Sequence, residues 1–372
     1  MTDITVTGQK TFKPSDDNLH MRIDGKIYDL FESFSFSRSL EQVPSSFSVQ
    51  MPLESSEGKD YPDITTGKSL EVYLHKKRIF TGVIEQLYIG LSSNTHVMVL
   101  SGRSAIKDLI DSTPIFGGTS INNVQGMYDL CQTVAGYYGI GVVNKSTKAD
   151  KSNWTSVPFN LGDTGWAILD RYAAYQGKLL YDDGAGHLVI DDVGNTLTGT
   201  INKSSYVVNA SYSEDISQRF AEYDVVWSAF TPLADDGIPP LFTASDPQKG
   251  LFKDTRKLVM INSANDDGQN LAQSYANWNA NRRYGRSKSI NLTTTGWVNG
   301  LDKLWEVNQL VKVDIPAIRA SGSFIVSSVS YSFDPSGGSQ TNLQLLPPEA
   351  FSFEPVTLYS GADASLQNIP KG

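Results

Sequence analysis

The sequence contains a single cysteine, Cys131, among its 372 residues. One cysteine excludes an intramolecular disulfide and a zinc site made of four cysteines, and it is typical of assembly in a reducing compartment. No run reaches the roughly 18 apolar residues that a membrane helix needs. The first ten residues, MTDITVTGQK, lack the apolar core of a signal peptide. We therefore expect a soluble protein that is made and assembled in the cytoplasm, with no stable membrane insertion.

Motifs for catalysis and for metal binding are also missing. The histidines are scattered, and none forms an HxH or HExxH spacing. There is no GxSxG elbow and no paired Cys and His pattern. Two glycine-containing segments lack the following Lys-Ser/Thr of a phosphate-binding loop, which predicts ordinary loops. The histidines are His20, His75, His96 and His187, and the segments are Gly117-Gly118 and Gly184-Ala185-Gly186. The sequence predicts no enzyme, catalytic residue, cofactor or metal.

Four carboxylates flank one predicted hairpin and are the strongest candidates for a chemical site. They are Asp182, Asp183, Asp191 and Asp192. The one-three-five spacing of a calcium loop is absent, and an Asp-Gly turn accounts for acidic residues at such a place. A pair of carboxylates facing a cleft, as in glycosidases, is the alternative that the spacing leaves open.

The charge balance is acidic, with 31 basic and 40 acidic residues and a net charge of −9. Such a balance does not predict a basic surface that follows a phosphate backbone. One basic cluster stands at the end of a predicted helix, where the helix dipole favours positive charge. Its members are Arg282, Arg283, Arg286 and Lys288.

Residues 20–104 have the alternation of β-strands almost throughout. Asp24-Gly25 is a dipeptide that suits a tight hairpin turn. Phe34 and Phe36 alternate with serines, and the same period of two recurs further along. This period gives each strand one buried and one solvated face, which predicts a small antiparallel barrel or sandwich.

The segment from 105 to 206 has a different texture and predicts a compact α+β domain. Residues 123–138 carry an apolar stripe at helical spacing. A second helix is predicted over DTGWAILDRYAAYQ, with Asp163 or Thr164 as N-cap and Gly177 at its end. The stripe consists of Val124, Met127, Leu130, Cys131 and Val134, and Asp183-Gly184 marks the turn of the hairpin that follows.

Strand texture returns after Tyr206 and repeats that of the first segment. SYSEDISQRFAEYDVVW (211–227) aligns without gaps on SFSRSLEQVPSSFSVQM (35–51), which places Phe36 on Tyr212 and Phe47 on Tyr223. LEVYL (70–74) aligns with VKVDI (311–315), VIEQLYI (83–89) with IVSSVSY (325–331), and VMVL (97–100) more loosely with LQLL (343–346). Alternating strands resemble one another by chance, but chance does not preserve their order. The sequence therefore predicts one β unit used twice.

The predicted architecture is a β-rich α+β, multidomain chain. An insertion with a Pro-rich loop (Pro239, Pro240) and a helix around 267–284 separates two parts of the second β domain. Leu271, Tyr275, Trp278 and Arg282 lie on one face of that helix. The predicted domains are 1–104 (first small antiparallel β-barrel), 105–206 (α+β), 207–232 with 306–346 (second barrel), 233–305 (inserted) and 347–372 (extended tail).

With these patterns the chain resembles the baseplate hub proteins of contractile-tailed phages of the phage Mu type. Related proteins are the hub of T-even phages, the late-control tail proteins of P2-like phages and the N-terminal part of type VI secretion spikes. The resemblance extends from about Met21 to Phe351. Its markers are FSFSRSLEQVPSSFSVQMP (34–52), IFTGVIEQ (79–86), LSGRSAIKDLIDST (100–113), ILDRYAAYQGKLLYDDGAGHLVI (168–190), LWEVNQLVKVDIP (304–316) and FIVSSVSYSFDPSGGSQTNLQLLPPEAF (324–351).

The resemblance implies a late virion structural protein of the tail baseplate. It implies tube-type barrels and a homotrimer whose six barrels form a pseudo-sixfold ring. That ring would adapt the sixfold tail tube to the threefold central spike, and its channel would pass the tape measure protein and then DNA during ejection. The implied partners are the spike, the tube protein or tube initiator, the tape measure and the baseplate wedge proteins. A tailocin or a prophage would use the same hub.

Two other classes of function remain open from the residues. A tail-associated cell-wall hydrolase would need a carboxylate pair in a cleft of the 105–206 domain or of the insertion. A carbohydrate- or surface-binding module would need its tryptophans exposed on one platform, whereas core packing is the ordinary role of tryptophan. The tryptophans concerned are Trp154, Trp166, Trp278, Trp297 and Trp305.

Overall fold

The computed structural model of the chain describes eleven ranges of the sequence. They are residues 19–28, 31–53, 63–74, 77–92, 96–151, 153–194, 197–202, 206–227, 241–262, 268–299 and 303–355. His75 and the predicted loop at Pro239 and Pro240 lie outside them. Within these ranges, no helix combines the length and the apolar character needed to cross a membrane.

The described residues form mostly strands with few helices, which confirms the predicted fold class. The strands are β1 (Leu19–Ile23), β2 (Lys26–Tyr28), β3 (Ser33–Ser39), β4 (Ser46–Pro52), β5 (Ser69–Leu74), β6 (Lys77–Leu91), β7 (His96–Ser104), β8 (Ser120–Val124), β9 (Val142–Asn144), β10 (Trp154–Pro158), β11 (Leu179–Asp182), β12 (Leu188–Asp191), β13 (Leu197–Asn202), β14 (Val207–Glu214), β15 (Glu222–Trp227), β16 (Leu241–Ser245), β17 (Lys257–Asn262), β18 (Lys288–Thr295), β19 (Leu310–Ile315), β20 (Ala320–Asp334) and β21 (Gly338–Leu346). The helices are α1 (Lys107–Asp111), α2 (Met127–Tyr137), α3 (Gly165–Gln176) and α4 (Gly268–Arg286), with 3-10 turns at Lys249–Leu251, Pro316–Ile318 and Pro348–Phe351.

The first β unit consists of β1 to β7. Its strands are neighbours in the order β3-β4-β7-β6-β5-β1-β2, and all are antiparallel. Ile23 lies opposite Lys26, so the turn between them contains only Asp24 and Gly25. Both have positive φ, 48° and 80°, as a type I′ turn requires, which confirms the predicted hairpin.

The second β unit consists of β13, β14 and β18 to β21, and it repeats the strand order of the first. The neighbours are β14-β18-β21-β20-β19, matching β3-β4-β7-β6-β5. The ladder of β6 on β7 has a bulge between Ile84 and Gln86, and that of β20 on β21 has one between Val326 and Ser328. A bulge adds one residue to one strand and bends it. Bulges at equivalent positions therefore bend β6 and β20 at the same place.

The strand registers give the equivalent residues of the two units. Ser69 lies opposite Val83, and Leu310 lies opposite Ile325. The predicted alignments of LEVYL with VKVDI and of VIEQLYI with IVSSVSY therefore agree with each other and with the bulge. The same registers match Phe36 with Tyr212, as predicted.

Two other alignments were wrong. The residue at the place of Phe47 is Ile290 of β18, not Tyr223, because Phe47 lies opposite Gly102 and Ile290 opposite Leu345. The last strand was misaligned by three residues, since Leu100 corresponds to Leu343. The chain leaves the second unit after β14 and returns only at β18. Strand β15 has the same alternation as β18, so the pattern alone could not tell which of the two is the counterpart of β4.

The predicted second-barrel segment 207–232 is therefore split by the sheet pairing. Strand β15 lies in a separate sheet with the order β16-β15-β17, and not beside β14. We call β15 to β17 with α4 the inserted unit. Strand β18 lies within the predicted insertion 233–305 and β13 within the predicted domain 105–206, yet both pair with strands of the second β unit. The remaining domain boundaries stay predictions.

The middle unit contains α1 to α3 and β8 to β12. Thr164, and not Asp163, is the N-cap of α3, since its Oγ1 accepts a hydrogen bond from the Ala167 amide (3.2 Å). Gly177 ends the helix with φ of 70°, as predicted. Helix α2 begins at Met127, so Val124 of the predicted stripe lies in β8 instead. Cys131 is fully buried, and burial raises the pKa of its thiol.

Helix α4 packs on the inserted sheet through alanines. Ala272, Ala276 and Ala280 are buried against Tyr223 and Val225. This stripe differs from the predicted one of Leu271, Tyr275, Trp278 and Arg282, although the predicted helix itself is confirmed. Small side chains let the helix axis lie close to the sheet, and an apolarity pattern weighted toward large residues does not find them.

The chain that follows β21 contacts α4 through Trp278 and Arg282, which are not part of the alanine stripe. The Trp278 indole N–H donates to the Ser352 carbonyl at 3.0 Å, and Arg282 donates to the Ala350 and Ser352 carbonyls. Residues 348–351 form a 3-10 turn with Phe351 buried, so this part of the predicted extended tail is folded on its own chain. Residues 356–372 lie outside the described ranges.

A buried arginine links the inserted unit to the second β unit, because Arg219 pairs with Asp246 beyond β16 and also lies 3.5 Å from the Glu214 carboxylate of β14. Arg219 and Asp246 have side chains with no exposed surface, and the guanidinium donates two hydrogen bonds to the carboxylate at 3.0 and 2.6 Å. The Tyr284 and Phe252 rings lie 4.9 and 5.5 Å from the guanidinium carbon. A bidentate pair between aromatic faces satisfies a charge that would otherwise be costly to bury.

We expect Asp246→Leu to destabilise the inserted unit by about 3 kcal/mol, because it removes the bidentate partner of the buried Arg219 guanidinium and leaves it only the more distant Glu214 carboxylate at 3.5 Å. The double variant Arg219→Met with Asp246→Leu removes both charges and should lose less stability than Asp246→Leu alone. Hydrogen exchange of the α4 amides measures both. Equal or greater destabilisation in the double variant would contradict this account of the pair.

Candidate functional site

The two β units are joined edge to edge by a strand pair. The second half of β20 pairs antiparallel with β3, with Ser328 opposite Ser39 and Phe333 opposite Phe34. The ladder continues beyond β3, since the Leu40 amide donates to the Ser327 carbonyl at 2.9 Å. The strands of both units therefore belong to one continuous sheet. We call this contact the β3–β20 junction.

Aromatic side chains line the buried face of the β3–β20 junction. Phe36 and Tyr331 lie opposite each other, with ring centroids 5.7 Å apart and planes inclined by only 6°. Phe31 meets Phe333 edge to face at 5.9 Å. Such pairs add about 0.5–1.5 kcal/mol each beyond the burial of their area. Together with the ladder hydrogen bonds, they make the junction a rigid contact between equivalent units.

The middle unit is fastened to the first β unit by a buried carboxylate. Asp182 accepts hydrogen bonds from the Ser45 hydroxyl at 2.7 Å and from the Ser45 amide at 3.2 Å. Nearby, Gly184 lies against the Ile79 backbone, where an added Cβ would come within 2.7 Å of the carbonyl oxygen. The Thr81 hydroxyl donates to the Gly184 carbonyl at 3.1 Å. The hairpin turn of the middle unit thus rests directly on β6.

The four carboxylates that were the strongest chemical candidates do not converge. Asp182 lies opposite Leu188 and Asp191 opposite Leu179, so the two acidic pairs lie at opposite ends of the hairpin, about 10 Å apart along the strands. Asp183 closes the turn by accepting from the Ala185 and His187 amides, at 2.8 and 2.9 Å. Each of these carboxylates makes hydrogen bonds that build the fold.

Asp191 and Asp192 organise the other end of the hairpin. Asp191 accepts from the Tyr181 hydroxyl at 2.7 Å and from the Asn308 amide group at 3.0 Å. Asp192 accepts from the Thr147 amide at 2.9 Å and from the Ser146 hydroxyl at 2.8 Å. Burial acts to raise the pKa of Asp192, but these hydrogen bonds outweigh it and hold the pKa below its usual range. A charged, fully bonded carboxylate of this kind is a poor proton donor.

The described histidines also belong to no common site. His20 stacks on Tyr73 with centroids 5.1 Å apart, and His187 lies 3.1 Å from the Asp183 carboxylate. Over the described ranges, no group of three or more His, Cys, Asp or Glu side chains could hold a metal ion.

The basic cluster binds its own chain. Besides the Arg282 bonds to the C-terminal segment, Arg283 donates to the Gln218 carbonyl at 3.0 Å, and Arg286 forms an ion pair with Glu41. Lys288 donates to the Tyr284 hydroxyl at 3.0 Å. Burial, with the charge of Arg286 second, lowers the pKa of Arg282. These contacts hold the units together and explain the cluster without nucleic acid.

The tryptophans do not form an exposed platform. Trp297 and Trp305 are buried, and the Trp297 indole N–H donates to the Ser332 carbonyl at 3.1 Å. Trp154, Trp166 and Trp278 are half-buried, and Trp166 of the middle unit and Trp278 of α4 line one open cleft of about 420 Å³. Gly117 and Gly118 lie in the loop between α1 and β8.

Sequence reasoning missed the β3–β20 junction and the Arg219–Asp246 pair. Serines alternate with apolar residues in both strands. The pattern is FSFS in β3 and VSYSF in the second half of β20. This shared pattern was the available signal, but it does not tell which strands become neighbours. The ion pair joins residues 27 positions apart, and neither has a motif around it.

Comparisons with known proteins agree with this architecture. Three domain models match: Mu phage baseplate assembly protein GpP-like, N-terminal (residues 18–104), Baseplate hub protein gp44-like, second domain (106–192), and Mu phage baseplate assembly protein GpP, fourth domain (268–354). The curated Baseplate hub protein gp44 of Escherichia phage Mu is 25% identical over 342 residues, which cover 89% of this chain and 88% of that protein.

Solved structures show the same fold. The 43 kDa tail protein of prophage MuSo2 from Shewanella oneidensis has a TM-score of 0.78 at 24% identity, covering 90% of this chain and 99% of that one. The E. coli c3393 protein has a TM-score of 0.53 at 11% identity, covering 88% of this chain and 76% of its own. That protein is described as a type VI secretion component with structural similarity to the T4 tail proteins gp27 and gp5.

We expect Phe36→Ala and Tyr331→Ala each to destabilise the β units by about 3–5 kcal/mol, because both rings are buried. In a double-mutant cycle the two should couple by about 0.5–1.5 kcal/mol, since each stacks on the other. Ser330→Ala, on the outward side of the same strand, is the matched control. Urea unfolding measures all four variants, and additive losses would contradict a direct contact.

Proposed function

Since the chain belongs to the family of phage Mu-type baseplate hub proteins, whose domain models match three segments of it, we propose that it builds a trimeric ring at the centre of a tail baseplate. Each copy contributes two equivalent β units, and three copies contribute six. In this proposal the ring adapts the sixfold tail tube to the threefold central spike.

The β3–β20 junction is the observation that carries this proposal. It places two equivalent units side by side through one strand pair within a single chain. If the same kind of contact follows between chains, equivalent units succeed one another around an axis. Such head-to-tail contacts close into rings when the rotation between units divides a full turn.

The inserted unit supports a role between two symmetries. Only the second β unit carries it, between β14 and β18. A ring of three chains therefore has six similar β units but only three insertions. One face of such a ring suits six tube subunits, and the features that occur three times suit a trimeric spike.

A central channel follows from a ring, and its charge bears on what passes through it. The net charge of −9 on each chain gives three copies −27, since 3 × −9 = −27. Acidic or neutral walls would let DNA slide without sticking. The tape measure protein would occupy the channel before the DNA. A strongly basic wall in the assembled ring would overturn this part of the proposal.

The role we propose is structural and has no reaction. Its partners are further copies of the chain, the spike, the tube protein or tube initiator, the tape measure and the wedge proteins, in the virion after assembly in the host cytoplasm. The candidate carboxylates support this, because their hydrogen bonds serve the hairpin and its contact with β3–β4. The family relationship supports it as well.

We expect the purified chain to form trimers at micromolar concentration. Sedimentation velocity should show a species of three times the mass of one chain, and averaged electron micrographs should show a ring with six lobes and a central hole. A strictly monomeric chain across the micromolar range would contradict the proposal. A dimer without a hole would contradict it equally.

A further inference from the structure

The second half of β6 has an open edge in the described structure. Residues 86–91 pair with β7 on one side, whereas β5 pairs with β6 only as far as Val83. The equivalent half of β20, residues 328–333, is paired on both sides, with β21 and with β3. Among the described residues, the second half of β6 therefore has no strand on the side where β20 pairs with β3.

Exposed apolar side chains mark this open edge. Tyr88, Ile89 and Leu91 are 64%, 53% and 79% exposed. Ile89 and Leu91 stand at the places of Tyr331 and Phe333, which are each only 4% exposed because β3 covers that edge. An apolar, unpaired strand edge is an unfavourable surface for a free protein and suits a partner strand.

Strand β14 has the complementary open edge. It is the counterpart of β3, yet among the described strands it pairs with β18 alone. Ile216 stands at the place of Leu40 and is 41% exposed, whereas Leu40 is 8% exposed beside Ser327. Val208 of β14 is 56% exposed. The described part of the chain thus has two open edges, on β6 and on β14, that are the counterparts of the two edges paired in the β3–β20 junction.

We propose that β14 of one copy pairs antiparallel with the second half of β6 of the next copy, in the register of the β3–β20 junction. Transferring that register places Gln86 opposite Asp215, Tyr88 opposite Ser213, Ile89 opposite Tyr212 and Leu91 opposite Ala210. This inference rests on the proposed ring and specifies how its chains are joined. The Ile216 amide would donate to the Glu85 carbonyl, as Leu40 does to Ser327.

A second copy of this chain is the occupant that the structure favours. The two open edges are the counterparts of two edges that already pair within the chain, with the bulge at Ile84–Gln86 in the place of that at Val326–Ser328. The contact is head to tail, so every copy gives one β14 and one β6 edge. Repeating it leaves no open edge of either kind.

Disulfide trapping tests the register. In Tyr88→Cys with Ser213→Cys, the two Cβ atoms should lie about 4.5–5.5 Å apart across neighbouring copies, a separation that a disulfide can span after small adjustment. We expect mild oxidation to give covalent dimers and closed trimers on a non-reducing gel. Mixing the two single variants should give covalent dimers only. The native thiol of Cys131 is fully buried and does not compete.

Two matched controls accompany this pair. Ser37→Cys with Ser330→Cys places the same geometry inside one chain, because these serines lie opposite each other in the β3–β20 junction. It should give an intramolecular disulfide without covalent oligomers. Tyr88→Cys with Ile216→Cys is three positions out of register, about 10 Å apart along the strand, and should not link.

The outcomes separate this inference from the proposed function. Trimers in sedimentation without linkage of the Tyr88→Cys and Ser213→Cys pair, while the intramolecular control links, would overturn the strand pairing and leave the ring. Equal linkage of the out-of-register pair would overturn the register. Monomers in sedimentation would contradict the ring itself.

Discussion

The unsatisfied backbone of a strand edge is the constraint on which this structure depends. Each unpaired edge exposes N–H and C=O groups that favour pairing with another strand. At the β3–β20 junction the chain meets this constraint by covering an edge of one unit with a strand of its equivalent. The aromatic pairs beneath the ladder hold the contact in one register, because a slip by one residue would turn every buried ring to solvent.

The duplication survives in backbone geometry more than in side chains. Gly102 of the first unit corresponds to Leu345 of the second, and Phe34 to Ala210, so volume is distributed differently in the two cores. Strand order, register and the bulge position are kept nonetheless. Those features set the curvature of each sheet, and curvature decides whether equivalent edges can meet in the same way.

The sequence predicted what is local and left out what depends on long-range pairing. The Asp24-Gly25 turn, α3 with its Gly177 end, and the alternation of β3 follow from residues close together in the chain. The register of 70–74 with 311–315 could also be found, because both segments precede long strands of the same pattern. Strand β15 was assigned to the wrong sheet, since its alternation fits either one. The Ala272, Ala276 and Ala280 stripe and the Arg219–Asp246 pair left no local pattern to detect.

The position of the insertion explains how one unit could acquire it without losing the junction. Glu214 lies directly opposite Lys288, so the chain leaves and re-enters the second β unit at adjacent points of one ladder. Closing a long loop between adjacent points costs little more than closing a short one, because the entropy grows only with the logarithm of length. The Arg219 guanidinium lies close beyond that exit, and it donates to Asp246 and, at 3.4 Å, to the hydroxyl of Ser287, the residue just before the re-entry. This buried pair fixes the orientation of the inserted unit where the chain leaves and re-enters the second β unit. The second half of the chain can therefore carry an insertion that the first half lacks, while the edge strands of both halves keep one common geometry.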